Sequence, residues 1–245
     1  MTVILALPAY NEELGLPKLL ETFGGEMKKA GLSPKVVIVD DGSGDGTGDV
    51  ILEWSSRLPI DLVKHSENRG LGETIRDALR RASEVAEADD VIVTMDADNT
   101  HSPALIPEML RLIGAGNDMV IASRYRKGSR VIGLSWYRHL MSYGARVLFQ
   151  IVFPIPHVRD YTCGFRAYRA DALRKAFAVY GDGFVTERSF ACMAEILLRM
   201  RKLSLKIAEV PMVLRYDRKE GASKMKVART VSRTLRLMLR IRFSS

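Results

Sequence analysis

The chain has 245 residues, 47% of them apolar and 27% charged, with a formal charge of +8. That length can bury one sizeable core, and the composition excludes a disordered chain and a disulfide scaffold. Cys163 and Cys192 are far apart without metal-ligand spacing, which fits a reducing compartment, and no apolar run is long enough to span a membrane as a helix.

Met1–Leu7 is apolar without a basic leader and runs directly into Pro8–Glu13, which predicts a buried strand rather than a signal peptide. Short apolar runs predict strands at Thr2–Leu7, Lys35–Val39, Ile60–Lys64, Asp90–Met95 and Asp118–Ala122. Helical periodicity fills the intervals at Leu14–Ala30, Thr47–Arg57, Leu71–Glu87 and Pro103–Gly114, the last with Ser102 as its cap. Such alternation predicts an α/β fold, a mostly parallel sheet flanked by helices. Sheets of this kind bind ligands beyond the carboxyl ends of their strands. Polar segments stand at four such ends: Pro8–Glu12, Asp40–Thr47, Asn68–Gly72 and Asp96–His101.

The second half is less regular. Leu134–Phe153 reads as a long apolar helix and Asp160–Arg169 as a loop entering a strand. Thr186–Lys202 reads as a helix, Lys206–Leu214 as a strand, Tyr216–Lys224 as a polar loop and Met225–Phe243 as a final helix. With no repeat or linker, residues 1–224 form one domain and 225–245 a basic amphipathic appendage.

Asp96-Ala97-Asp98 ends a buried-strand pattern, and residues two apart on a strand point the same way. Clustered carboxylates repel unless a cation lies between them. A hard divalent ion, Mg²⁺ or Mn²⁺, shared with substrate phosphates answers that need. A bare Asp-x-Asp also serves as a loop cap; the strand context and the neighbouring polar segments favour the metal. Tyr10 offers an aromatic face, and Glu12 and Asp40 offer acceptors for a nucleoside. The glycines of Gly42–Gly48 do not form a dinucleotide fingerprint, because they follow the second strand and stand among Asp41, Asp45 and Asp49. The four histidines, His65, His101, His139 and His157, lack metal spacing and read mostly as surface or loop residues.

Pro8–Glu12, Asp40–Ser43, Asn68–Gly70 and Asp96–Asp98, in this order and spacing, resemble the family 2 glycosyltransferases of the GT-A fold. Ala122–Tyr125, Asp160–Arg169, Glu209–Pro211 and the set Arg218, Gly221, Ser223 and Lys224 resemble the polyprenol (dolichol) phosphate mannose synthases within them. The resemblance implies inverting transfer of a hexose, mannose favoured, from a nucleoside diphosphate sugar, GDP-mannose favoured, to a polyprenyl or dolichyl monophosphate; the alternative is a UDP-glucose or UDP-amino-sugar donor, with polyprenyl phosphate or another acceptor. It implies that Pro8, Tyr10, Glu12, Ile38 and Asp40 surround the nucleotide and that Asp96, Ala97 and Asp98 meet the diphosphate and metal. Thr100 stands where relatives often place another metal contact. Arg124, Arg138 and Ser142 would lie at the acceptor phosphate, and Arg218 and Lys224 would close over the donor diphosphate. The acceptor is already an anion near neutral pH, which agrees with the absence of an evident Ser-His-Asp or Cys-His system.

Seven basic residues (Lys224, Lys226, Arg229, Arg233, Arg236, Arg240 and Arg242) fall in 224–245 without an acid, leaving the rest of the chain near neutrality. Arg229, Arg233, Arg236 and Arg240 form one helical stripe beside Val227, Val231, Leu235, Met238 and Leu239. That pattern predicts peripheral contact with an anionic membrane surface, on its cytoplasmic face; the alternative is an ordinary packed helix with a solvated basic face. Leu134–Phe153 is a second contact or is covered by the domain or a homodimer partner. A nucleic-acid-binding module is disfavoured, since no aromatics interleave with the arginines and the acidic crevice would repel a phosphate backbone.

Overall fold

A computed structural model describes residues 1–218 and 227–243. The leading half alternates β1 (Thr2–Ala9), α1 (Leu16–Lys29), β2 (Ser33–Asp40), α2 (Thr47–Trp54), β3 (Ile60–Lys64), α3 (Leu71–Val85), β4 (Val91–Thr94), α4 (Ile106–Gly114) and β5 (Met119–Ser123). Then come β6 (Arg130–Ile132), α5 (Trp136–Val152), β7 (Arg166–Arg169), α6 (Ala170–Tyr180), α7 (Cys192–Lys202), β8 (Ile207–Pro211), β9 (Val213–Arg215) and α8 (Val227–Phe243).

The main sheet has the order β3-β2-β1-β4-β7-β5-β8, and β6 pairs with β9 in a small ribbon. Every pairing in the main sheet is parallel except those of β7, which runs antiparallel to both β4 and β5. The central strands are apolar on both faces, as a parallel sheet covered by helices requires: Val3–Leu7, Val36–Val39 and Val91–Val93 are all buried. Each helix contributes one apolar stripe. In α1 this is Leu16, Leu19, Leu20, Phe23 and Met27, spaced by three or four.

Four sequence expectations change. The helix expected over Thr186–Lys202 begins only at Cys192, because the N–H groups of Thr186 and Glu187 are held by the Glu195 side chain instead of a helical ladder. The strand expected over Lys206–Leu214 breaks at Met212: β8 stays in the main sheet and β9 leaves for the ribbon. There the N–H of Met212 donates to the Ser123 carbonyl and its carbonyl accepts from Arg130. Helix α6 was not anticipated, since its buried face is mostly alanine (Ala170, Ala172 and Ala176 beside Leu173) and gives a faint stripe. Ser102 precedes Pro103 in an extended conformation but makes no side-chain cap; Pro103 opens a 3₁₀ turn that leads into α4.

Burial pushes the Cys163 thiol up to about 12 and raises that of Cys192 still further, so both are structural. Among the described residues, no helix is long and apolar enough to cross a membrane.

Candidate functional site

The ends of β1 and β2 are zipped together. Asn11 takes a positive φ of 53°, donates its N–H to Ser43 Oγ at 3.0 Å and accepts the Gly44 N–H on its side-chain oxygen at 2.9 Å. The Glu12 N–H reaches Thr47 Oγ1 at 2.8 Å, and Glu13 accepts the Gly46 N–H at 2.8 Å. Asp40 accepts the Ser43 N–H at 3.0 Å. The two loops therefore form one preorganised rim carrying Pro8, the exposed ring of Tyr10, Glu12 and Asp40. Ile38, expected near the nucleotide, lies two residues before Asp40 in β2. It is fully buried inside β2, paired in register with Leu7 and Leu62, so its side chain forms floor rather than contact surface.

Beneath this rim is a buried cluster. Asp41 accepts the N–H groups of Arg69 and Gly70 at 2.9 and 3.0 Å, pinning the turn that enters α3. His65 lies between two carboxylates, Nδ1 2.7 Å from Asp41 and Nε2 3.2 Å from Asp77. His65 and His101 lie in loops, in keeping with the surface-or-loop reading of most of the histidines, but both are buried. His101 Nδ1 accepts the Asp96 N–H at 3.2 Å, and its ring packs 5.3 Å from that of Phe165. No sequence spacing signals either role.

Asp96, Ala97 and Asp98 leave β4 beside this rim. Gly15, ahead of α1, is needed there, because a Cβ on it would stand 2.9 Å from the Ala97 carbonyl oxygen. Ala97 is itself buried, so it has only its backbone to offer. Asp98 Oδ1 accepts the Thr100 hydroxyl at 2.7 Å and the Thr100 N–H at 3.2 Å. As placed, Thr100 fixes Asp98. The Thr100 carbonyl accepts the Arg215 N–H at 3.1 Å, which brings the Tyr216–Arg218 turn next to this loop; Lys224 lies outside the described residues. Among the described residues, no three His, Cys, Asp or Glu side chains form a metal cage. Two carboxylates with a hydroxyl nearby, all hard oxygen donors, suit Mg²⁺ or Mn²⁺ when substrate phosphates supply the remaining ligands.

The strand order sets β7 beside β4, which puts the Asp160–Phe165 segment across from the carboxylates; Thr94 Oγ1 donates to the Gly164 carbonyl at 2.7 Å. Arg124, expected at an acceptor phosphate, spends Nε and Nη2 on Asp160 (2.8 and 2.6 Å), and Nη2 also reaches Thr162 Oγ1 at 2.7 Å. Its charge is thus largely engaged by the protein. Burial alone would raise the Asp160 pKa, but the Arg124 guanidinium overrides this and holds the carboxyl below its ordinary value. Glu209 steadies the same loop by accepting the N–H groups of Arg159 and Asp160, both at 2.7 Å; burial raises its pKa.

Ser142 shares a 2.5 Å hydrogen bond with the Tyr125 hydroxyl, and the Arg146 guanidinium lies 4.9 Å over the Tyr125 ring. Arg138, Ser142 and Arg146 follow at four-residue intervals, so they share one face of α5. Elsewhere that helix carries open apolar side chains: Trp136 is 77% exposed, Ile151 72% and Leu140 64%, and only Phe149 is fully buried. Helix α8 is seated on the domain. Leu237 and Met238 are buried against the domain and Arg240 pairs with Glu195, while Leu235 and Leu239 remain exposed.

Residues 4–177 match the family model described as glycosyl transferase family 2. The chain belongs to that family. Over 242 residues this glycosyltransferase is 33% identical to the dolichol-phosphate mannosyltransferase of Pyrococcus furiosus, an alignment covering 98% of this chain and 64% of that protein, so the chain spans just under two thirds of that relative. It is 32% identical over 226 residues to the undecaprenyl-phosphate mannosyltransferase of Micrococcus luteus, covering 92% of this chain and 88% of the relative. Among solved structures it is similar to glucosyl-3-phosphoglycerate synthase of Mycobacterium tuberculosis in complex with Mn²⁺, UDP and glucosyl-3-phosphoglycerate, with a TM-score of 0.68 and 19% identity over 98% of this chain and 79% of that one. The same enzyme has been solved with Mg²⁺ and UDP. At that identity the likeness shows the GT-A fold, a mostly parallel sheet flanked by helices.

Proposed function

We propose that this family 2 glycosyltransferase moves a hexose, with mannose favoured, from a nucleoside diphosphate sugar, with GDP-mannose favoured, to a polyprenyl or dolichyl monophosphate at a membrane surface. The observation that carries this reading is a juxtaposition along one sheet edge. The Asp98–Thr100 pair stands at the end of β4, which is hydrogen-bonded to the segment that carries Asp160 and its partner Arg124, and α5 carries Arg138 and exposed apolar side chains able to meet lipid. The names of the relatives in Pyrococcus and Micrococcus point to the same acceptor class.

In this reading the Tyr10 ring stacks on the base, and Glu12 and Asp40 accept from base or ribose, with Pro8 completing the rim. Asp96 and Asp98 hold the divalent cation, which offsets charge on the departing diphosphate. Arg218 and Lys224 add positive charge to that leaving group. On the acceptor side Arg138 and Ser142 receive the lipid phosphate, while Arg124, tied to Asp160, sets the wall of the cradle. The attacking phosphate oxygen is already anionic, so rate comes from alignment and electrostatics, and one in-line displacement inverts the anomeric carbon. The open face of α5, with Leu235 and Leu239 of α8, rests on the cytoplasmic leaflet.

A donor panel tests this. Purified protein is given Mn²⁺, a short polyprenyl phosphate and, in turn, radiolabelled GDP-mannose, UDP-glucose or UDP-N-acetylglucosamine, and labelled lipid is extracted. Lipid label from GDP-mannose alone is expected. Label from a UDP sugar would replace the donor assignment, and nucleotide-sugar binding without lipid label would overturn the acceptor.

A further inference from the structure

Among the buried acids that the reaction as drawn does not use, one joins two helices to a loop. Glu195, on α7, has no exposed surface. Its Oε2 accepts the N–H groups of Thr186 and Glu187, both at 2.8 Å. Its Oε1 accepts the Thr186 hydroxyl at 2.7 Å and guanidinium N–H groups of Arg199 and Arg240 at 3.1 Å each. A carboxylate removed from water is costly unless it is both paired and hydrogen-bonded. Here the hydrogen bonds come from the segment before α7, and the counter-charges from two helices. Arg199 is one turn along α7; Arg240 arrives from α8, which is seated on the domain by Leu237 and Met238.

The segment that Glu195 holds bears on the donor rim. The Gly72 N–H donates to the Arg188 carbonyl at 3.2 Å, and Arg188 pairs with Glu73 at 2.8 Å. The approach is so close that a Cβ on Gly72 would stand 1.8 Å from the Glu187 carbonyl oxygen. Arg69 and Gly70, just before, are the residues whose N–H groups Asp41 accepts, and Asp41 adjoins Asp40 at the end of β2. Contacts thus run without a break from α8, through Glu195 and residues 186–188, to the turn entering α3 and the loop after β2.

We infer that Glu195 is a positioning residue for the donor rim, and that Arg240 makes this positioning depend on the seating of the C-terminal helix. With α8 docked, Glu195 has both counter-charges and holds residues 186–188 against the α3 entry. With α8 lifted it keeps one, the segment loosens, and the rim loses its support. The helix that faces the membrane and the loops that face the nucleotide then share one buried carboxylate. The inference rests on the reading of the crevice as a nucleotide-sugar site.

Arg240→Gln and Arg240→Lys in the full chain test it, with circular dichroism to confirm the fold. The first readout is amide hydrogen exchange at Thr186, Glu187 and Gly72 without ligand. The second is calorimetric affinity for GDP, and separately for UDP, with Mn²⁺. The Gln variant is expected to exchange faster at these amides and to bind the nucleotide about two- to fivefold more weakly, the range for losing a partly exposed ion pair. The Lys variant should restore most of both. In turnover assays the donor KM should rise while kcat and acceptor KM hold. Unchanged exchange at Thr186 and Glu187 in the Gln variant overturns the inference. Failure of the wild type to bind either nucleotide would instead overturn the donor reading, with the exchange data still deciding the clasp.

Discussion

Arg124 and Asp160 form a two-pronged ion pair, Nε to Oδ2 at 2.8 Å and Nη2 to Oδ1 at 2.6 Å, with Asp160 fully buried and Arg124 nearly so. Asp160 also accepts the N–H groups of Arg124, Thr162 and Cys163. One carboxylate therefore organises the end of β5 and the loop before β7 together, and an arginine that looks like a phosphate ligand acts first as a strut.

Asp160→Asn keeps the shape but strands a buried guanidinium. Removing one member of a buried pair typically costs about 3 kcal/mol or more, which for a chain of this size lowers Tm by roughly 6–12 °C. The pH dependence follows from the direction of the shift. Folding lowers the Asp160 pKa, so its stabilisation is present above the ordinary carboxylate value of about 4 and is lost as pH falls toward the folded value. Glu209 acts oppositely: folding raises its pKa, so its contribution falls as pH rises from about 4 through the folded value. Denaturant midpoints from pH 3 to 7 should show the acid-side loss flattened in Asp160→Asn and retained in Glu209→Gln. An equally steep loss in the Asn variant would remove Asp160 as its source.

Asp98 and Thr100 separate ligand from support. Asp98→Ala should reduce transfer by at least about a thousandfold, comparable to losing a principal electrostatic contact, with no change in circular dichroism. Thr100→Val removes only the hydroxyl that Asp98 accepts. It should cost about tenfold, within the range for altered support of a metal ligand, and more Mn²⁺ should partly recover the rate. Chelation of the wild type should abolish activity reversibly. A Thr100→Val enzyme as dead as Asp98→Ala would make Thr100 a ligand in its own right.

Gly72 reverses a general rule. Replacing glycine by alanine inside a helix usually stabilises by up to about 1 kcal/mol. Here the added methyl would meet the Glu187 carbonyl at 1.8 Å, and an overpacking cost of about 1–3 kcal/mol outweighs the gain. Gly72→Ala should therefore lower thermal stability and weaken donor binding together. Gly25 sits in α1 with open space where a Cβ would go, so Gly25→Ala should stabilise; equal effects at the two sites would refute the steric account.

These contrasts show what the sequence could disclose. β1, β2 and β4 were legible because strands covered on both faces are continuous apolar runs, and the polar residues at their ends followed from that. β7 was legible as a strand but its place was not, since nothing in Arg166–Arg169 says that it inserts antiparallel between β4 and β5. The burial of His65 was not legible because its partners, Asp41 and Asp77, lie 24 and 12 residues away. The pairing of Arg240 with Glu195 was not legible because its helical stripe looks alike whether it meets solvent, lipid or a buried carboxylate from another helix.

The outer face of α5 carries the last prediction. Trp136, Leu140 and Ile151 are 77, 64 and 72% exposed on a helix with a single fully buried residue, and apolar surface of this extent favours transfer out of water. If it rests on lipid, Trp136→Ser with Leu140→Ser and Ile151→Ser should weaken co-sedimentation with anionic vesicles by at least about tenfold, since each large side chain is worth more than about 1 kcal/mol when buried. Nucleotide binding in solution should be unchanged, because these side chains lie outside the rim of β1 and β2. High salt should weaken vesicle binding through the basic residues without abolishing the apolar share. Analytical ultracentrifugation separates the competing cover. If the triple variant converts a dimer to a monomer and leaves vesicle binding intact, α5 faces a second copy of the chain, and the membrane contact must be sought elsewhere.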